Sequence, residues 1–166
     1  LTALINHTNN NYLPSVTGKV IFHSACSLTK EFIFLINLIK QAAKIYNLRN
    51  SKRNNNIFYK TALSAASHSL SPSTLTSLRI ADQVKHIINV TRPKVLIFTF
   101  EGHSWERLAI CQARELNNKI ICIGYQHAAL FTKQHAIRRP IAKEFNPDVI
   151  LTSGHISYIR LKNEIK

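Results

Sequence analysis

The stretch Val95-Leu96-Ile97-Phe98-Thr99-Phe100, running into Glu101-Gly102, decides how the rest of the chain is read. It is an almost continuous apolar run lying between Pro93 and Gly102. A strand is therefore predicted over 95–100. Its apolar character is almost unbroken, the pattern of a strand covered on both faces of a parallel sheet. Towards the C-terminus a helix is predicted over about 104–117. A second buried strand follows over 119–125 (Lys-Ile-Ile-Cys-Ile-Gly-Tyr), then a short helical piece over 141–145. A third strand covers 148–152 (Asp-Val-Ile-Leu-Thr), closed by Ser153-Gly154, and a last helix starts near His155. Strands alternating with helices at this spacing predict right-handed βαβ units and a parallel sheet.

Towards the N-terminus, Leu75, Leu78, Ile80, Ala81, Val84, Ile87 and Ile88 recur at helical spacing, so a helix runs from 73 to about Thr91-Arg92-Pro93. An Ala-rich helix is predicted over 57–68, separated from it by a break containing Pro72. Phe32, Leu35, Ile36, Ile39, Ala43 and Tyr46 place a long helix over 28–48, with Ser27 or Thr29 as its cap. A basic polar loop occupies 49–55, and Lys19-Val-Ile-Phe-His23 reads as a strand. The Asn-, Thr- and Pro-containing segment 1–18 reads as an irregular lead-in. The expected fold is a three-layer, Rossmann-like α/β domain over 19–166 with a mostly parallel sheet.

Composition sets the setting. Of 166 residues, 22 are Lys or Arg against 8 Asp or Glu, a formal charge of +14. Such a surface attracts nucleic acid, anionic lipid head groups or phosphorylated substrates. The three cysteines, Cys26, Cys111 and Cys122, lack metal-type spacing, and their odd number fits a reducing cytosol better than a disulfide framework. The longest unbroken apolar stretch, 32–36, is far short of the ~20 residues that span a bilayer. The expected location is cytoplasmic, with a peripheral position at the inner membrane face open to it. The chain starts at Leu1, contains no Met and ends on an apolar-periodic run, features that read as a piece of a longer protein.

In open parallel sheets ligands bind beyond the carboxyl ends of the strands. Three segments leave such ends: 100–107, 124–128 and 152–155. Glu101 ends the first strand, and a carboxylate there can accept the proton of a substrate hydroxyl; equally, Glu101 or Ser104 can cap the following helix. Gly102 lets the backbone turn, and Glu106 suits the positive end of the helix. Arg107 can pair with a phosphate or with Glu106, the ion pair being the favoured reading, and Trp105 fits a core plug better than a stacking platform. The polar pair Gln126-His127, straight after a buried strand and followed by Ala128-Ala129, puts an imidazole at the sheet edge with room around it. A structural histidine is the competing reading. His103 and His155 occupy the neighbouring loops, without the spacing of a metal site. Lys133, His135, Arg138 and Arg139 make the loop after the second strand basic, able to cover an anionic ligand. The chain has no Gly-rich dinucleotide fingerprint, no phosphate loop and no Gly-x-Ser-x-Gly elbow, so dehydrogenase, NTPase and esterase readings fall.

Taken together, Phe98-Thr99-Phe100-Glu101-Gly102-His103-Ser104-Trp105-Glu106-Arg107, Ile123-Gly124-Tyr125-Gln126-His127 and Asn146-Pro147-Asp148-Val149-Ile150-Leu151-Thr152-Ser153-Gly154 resemble bacterial surface-carbohydrate biosynthesis proteins similar to GT-B glycosyltransferases of capsule and lipopolysaccharide assembly. The resemblance covers roughly 78–160. It implies one Rossmann-like half of a GT-B architecture, with a second half expected outside this chain. It implies a nucleotide-sugar donor and a glycan acceptor as substrates, with neither metal nor other cofactor. Glu101 and His127 are the implied catalytic residues. Gly102, His103, Trp105, Glu106, Arg107, Gln126, Ser153 and Gly154 are the implied substrate-binding set. The competing reading is a non-catalytic basic module for nucleic acid or anionic surfaces. It explains the charge, but it leaves the polar strand ends unexplained and has no aromatic-interleaved basic motif behind it.

Overall fold

The computed structural model describes residues 2–5, 19–22, 26–48, 56–131, 136–139 and 141–164. The chain is mixed α/β. By its internal contacts it divides into two compact units, Leu1–Arg79 and Ile80–Lys166, where the sequence reading has a single domain over 19–166.

In the first unit, strand β1 (Thr2–Ile5) pairs in parallel with β2 (Lys19–Phe22). Residues 2–5 are thus a strand within the segment expected to be irregular. The rest of that lead-in, His23 and the basic loop 49–55 lie outside the described residues. Helix α1 (Leu28–Leu48) packs with α2 (Asn56–Ser69). Leu38 and Ala42 of α1 and Ala62 and Ala66 of α2 are buried, the three alanines being small side chains that let two helices approach closely. Ser27 is the cap of α1, its Oγ accepting the Lys30 N–H at 3.4 Å. Glu31 in the first turn accepts both Arg79 Nε–H (2.7 Å) and Nη2–H (2.9 Å), as well as the Cys26 N–H (3.0 Å). These bonds, Arg79 foremost, hold the Glu31 carboxyl below its ordinary pKa.

Helix α3 (Pro72–Thr91) starts on Pro72, at the position where a missing N–H costs nothing, after a Ser71 whose Oγ accepts the Thr74 N–H. Its end is set by Arg92, with φ 45°, whose N–H reaches back to Ile88 O at 2.8 Å. Pro93 beyond it cannot continue the helix.

The second unit holds the legible part of the fold. Strands β3 (Val95–Thr99), β4 (Ile121–Gln126) and β5 (Val149–Thr152) form a parallel sheet in the order β3-β4-β5. Helix α4 (Ser104–Leu116) connects the first pair, and α5 (His155–Glu164) follows the third strand. The helical piece expected over 141–145 is a 3-10 turn, Lys143–Phe145. Register aligns Val95 with Ile121, Ile97 with Ile123, and Ile123 in turn with Val149.

The two faces of this sheet differ, which corrects one expectation. Cys122, Gly124 and Gln126 are buried on one side, with Phe100 and Ile120 at the strand ends. The core also contains Ala109, Ile110 and Ala113 of α4, and Ala81, Val84 and Ile88 of α3. On the other side Val95, Ile97, Ile121, Tyr125, Val149 and Leu151 are exposed, Ile97 by 65%. The strand 95–100 was expected to be covered on both faces and is covered on one. Its apolar side chains alternate between a buried and an open face, a distinction that an all-apolar run cannot encode.

Gly124 is a packing requirement. A Cβ there would lie 2.6 Å from Phe100 Cβ and 3.2 Å from Pro147 Cγ. The three cysteines form no disulfide, and burial pushes the Cys122 thiol up in pKa. Among the described residues, no helix is long and apolar enough to cross a membrane.

Candidate functional site

The parallel register brings the carboxyl ends of β3 and β4 side by side, with Thr99 opposite Tyr125, so the loops that leave them meet. Phe100 N–H bonds to Tyr125 O (2.9 Å), and Ser153 N–H bonds to Gln126 O (3.0 Å), which draws the loop after β5 to the same edge. Glu101, Gly102, His103, Gln126, His127 and Ser153 therefore share one rim.

Glu101 is buried. Its Oε1 accepts the backbone N–H of His127 (3.3 Å) and of Ala128 (3.1 Å), and lies 3.4 Å from His127 Nδ1. The two side chains differ sharply in access: His127 is 53% exposed and Glu101 7%. The ring of Tyr125 lies beside the imidazole, with centroids 6.4 Å apart. Gln126 is fully buried, its Nε2 donating to Ala128 O. Its Oε1 has no hydrogen-bond partner among the described residues. The strand end is thus held from both sides: Gln126 takes the carbonyl of Ala128 and Glu101 takes its N–H.

Glu106 closes the other half of the loop. Almost wholly buried, its Oε2 accepts the N–H of Glu101 (2.9 Å) and of His103 (2.8 Å). That second bond is the reciprocal arm of a capping box around the N-cap His103, made by the residue three positions into α4. Burial pushes the Glu106 carboxyl above its ordinary pKa and outweighs these N–H donors. A carboxyl whose folded pKa is raised contributes stability that is complete below the unfolded value of about 4.3 and lost as pH rises through the folded value. Glu106→Gln keeps an acceptor for both N–H groups without the charge. We expect the variant to gain on the parent protein as pH rises from acid to neutral; parallel stability curves from urea titrations at each pH would contradict this.

Arg107 is a buried cation. Its guanidinium donates to Gly102 O (3.2 Å), Ala136 O (2.7 Å), Arg139 O (3.4 Å) and Asn146 Oδ1, and lies over the Phe100 ring, 5.4 Å from the centroid. Burial lowers its pKa, opposed by the charge of Glu106 and assisted by that of Arg139. Gly102 has φ 83° and packs against the same segment: an added Cβ would fall inside contact distance of the Ala136 carbonyl, and 2.5 Å from Ile137 N.

The remaining expected residues are placed as follows. Trp105 is half-buried at the start of α4; His103, His155, Ser153 and Gly154 are exposed. His155 stacks on Tyr158 within α5. Among the described residues, no group of three or more His, Cys, Asp or Glu side chains is placed to hold a metal ion. Lys133 and His135 lie outside the described residues. A cavity of about 340 Å³, lined by Ile88, Asn89, Arg92, Pro93, Leu116 and Asn117, lies where the chain enters β3 and leaves α4, at the opposite end of the strands.

Three supporting residues escaped the sequence reading. Asn146 accepts from Arg107 and donates to Ile141 O (3.0 Å) and Ala142 O (3.3 Å). Asp148 accepts the Cys122 N–H (2.8 Å) and pairs with Arg114 at 2.8 Å. Arg114 also binds the carbonyls of Lys143 and Asn146. The Asn146-Pro147 dipeptide was the available signal, since such pairs open turns. Comparison with protein-family models, with curated proteins and with solved structures finds no match to the chain.

Proposed function

We propose that this chain is a glycosyltransferase-like domain of surface polysaccharide biosynthesis, one Rossmann-like half of a GT-B architecture that binds a nucleotide-sugar and a glycan acceptor. The observation that supports this reading most is the juxtaposition of Glu101 with His127, 3.4 Å apart, at the ends of adjacent parallel strands. That edge is where open α/β sheets receive ligands. The formal charge of +14 suits phosphorylated donors and an anionic membrane surface, and the reading places the protein in the cytoplasm, at the inner face of the membrane. Donor and acceptor are substrates; the chemistry asks for no further cofactor.

A thermal-shift screen with uridine, guanosine and cytidine nucleotide-sugars tests the proposal. One class is expected to raise Tm in proportion to the logarithm of its concentration above Kd. His127→Ala should leave the unliganded Tm near that of the parent protein, because the ring is exposed. The charge equally supports the second reading, a basic module for nucleic acid. No shift with any nucleotide-sugar, together with duplex DNA binding that weakens steeply with salt, would replace the first reading by the second.

A further inference from the structure

On the rim just described, the carboxylate and the imidazole do not share the same freedom. Glu101 is buried beneath the 127–128 backbone and holds two of its N–H groups through Oε1. The same oxygen stands 3.4 Å from Nδ1 of an imidazole that is half open to solvent. Gln126 below fixes Ala128, and Tyr125 flanks the ring, so the backbone that carries His127 is held at each neighbouring position. A carboxylate already committed to the main chain is badly placed to meet a substrate itself. It is well placed to orient a ring that can, because the hydrogen bond at one imidazole nitrogen decides the state of the other.

We propose that Glu101 is a positioning residue: it keeps the neutral His127 ring as the Nδ1–H tautomer, with an unprotonated Nε2 facing outward as the proton acceptor for a ligand hydroxyl. The inference rests on the glycosyl-transfer reading for the identity of that hydroxyl, which belongs to the acceptor sugar. In the step itself, the acceptor O–H proton passes to Nε2 as the acceptor oxygen bonds to the anomeric carbon of the donor. The bond from that carbon to the nucleotide phosphate breaks, and its electron pair leaves with the phosphate. The imidazolium so formed is stabilised by the Glu101 carboxylate and later returns its proton to solvent. An outward Nε2 lone pair cannot donate to a phosphate oxygen. His127 is thereby assigned to the acceptor and not to the donor phosphate.

The tautomer is measurable without any ligand, by two-bond 15N–1H correlation spectra of the histidine rings at a pH where they are neutral, with His127→Gln locating the signals. The expected result is a protonated Nδ1 and a pyridine-like Nε2 at His127. Glu101→Gln leaves an oxygen for the two backbone N–H groups but removes the charge, and a neutral amide is the weaker acceptor. The variant ring is therefore expected to shift towards the Nε2–H form. An Nε2–H ring in the parent protein, or the same tautomer ratio in parent and variant, overturns the proposal. The parent spectrum decides even where the variant fails to fold. A parent ring in the Nδ1–H form without any nucleotide-sugar response removes the transferase reading and leaves the dyad standing; the converse removes the dyad alone.

Discussion

Alanine at position 102 is expected to destabilise the second unit by about 2–5 kcal/mol, combining about 1–2 kcal/mol for a left-handed backbone with about 1–3 kcal/mol for overpacking. The φ of 83° supplies the first part. The second comes from backbone: a methyl group would strike the carbonyl of Ala136 and the amide of Ile137, neither of which can rotate away as a side-chain tip would. Trp105, the one tryptophan of the chain, lies three residues away, so its fluorescence in urea titrations reports on this unit. Gly154→Ser is the matched control. Among the described residues nothing lies within 4 Å of a Cβ there, and Gly154 O accepts the Tyr158 N–H at the start of α5, a cap position that serine fills well. The control should fall within about 0.5 kcal/mol of the parent protein. A Gly102→Ala variant as stable as the control would mean that the 136–139 segment does not rest on the 101–102 turn.

These two glycines show where sequence reading succeeds. Gly102 follows an apolar run and precedes helical spacing, so a turn is legible there. That it is wedged under residue 136 is not, because the contact spans more than thirty positions of chain. Helix α1 was predicted over 28–48 and found at Leu28–Leu48, since periodicity and the cap Ser27 are local signals. β4 was predicted over 119–125 and runs Ile121–Gln126. The shift carries Gln126 into the strand, where the pleat turns its amide inward. A residue later, His127 emerges. Two adjacent polar residues thus have opposite fates, set by the alternation of the strand and not by their own chemistry. The open face of the sheet was unreadable for the related reason that Val95 and Leu96 are equally apolar while facing opposite ways.

The same distinction separates ligand-facing from loop-building charge. Glu106 and Arg107 sit in the first turn of α4 and looked available to a ligand or to each other. Their partners are the N–H groups of Glu101 and His103 for the one, and distant carbonyls for the other. Both satisfy main-chain groups of irregular segments, which must find partners once buried. Irregular backbone at the site is held in place by long charged side chains because no strand partner is there to do it.

Removing Arg107 tests this view most severely. Arg107→Ala would leave the carbonyls of Gly102, Ala136 and Arg139 and the amide oxygen of Asn146 short of a donor, and expose the Phe100 ring that the guanidinium covers. With each charge-assisted bond contributing about 1.5–3 kcal/mol and partial recovery by water, a loss of about 3–5 kcal/mol is expected. Arg107→Lys should recover less than half of it, since an ammonium cannot span four acceptors arranged for a planar fork. The decisive measurement is the double-mutant cycle with Gly102→Ala. Both residues act on the 136–139 segment, so once one substitution has released it, the other has little left to break. The combined loss should fall short of the sum by about 1 kcal/mol or more. Additive losses would show two independent sites, and Arg107 would then be better regarded as a cation kept for a ligand than as a clamp on the loop.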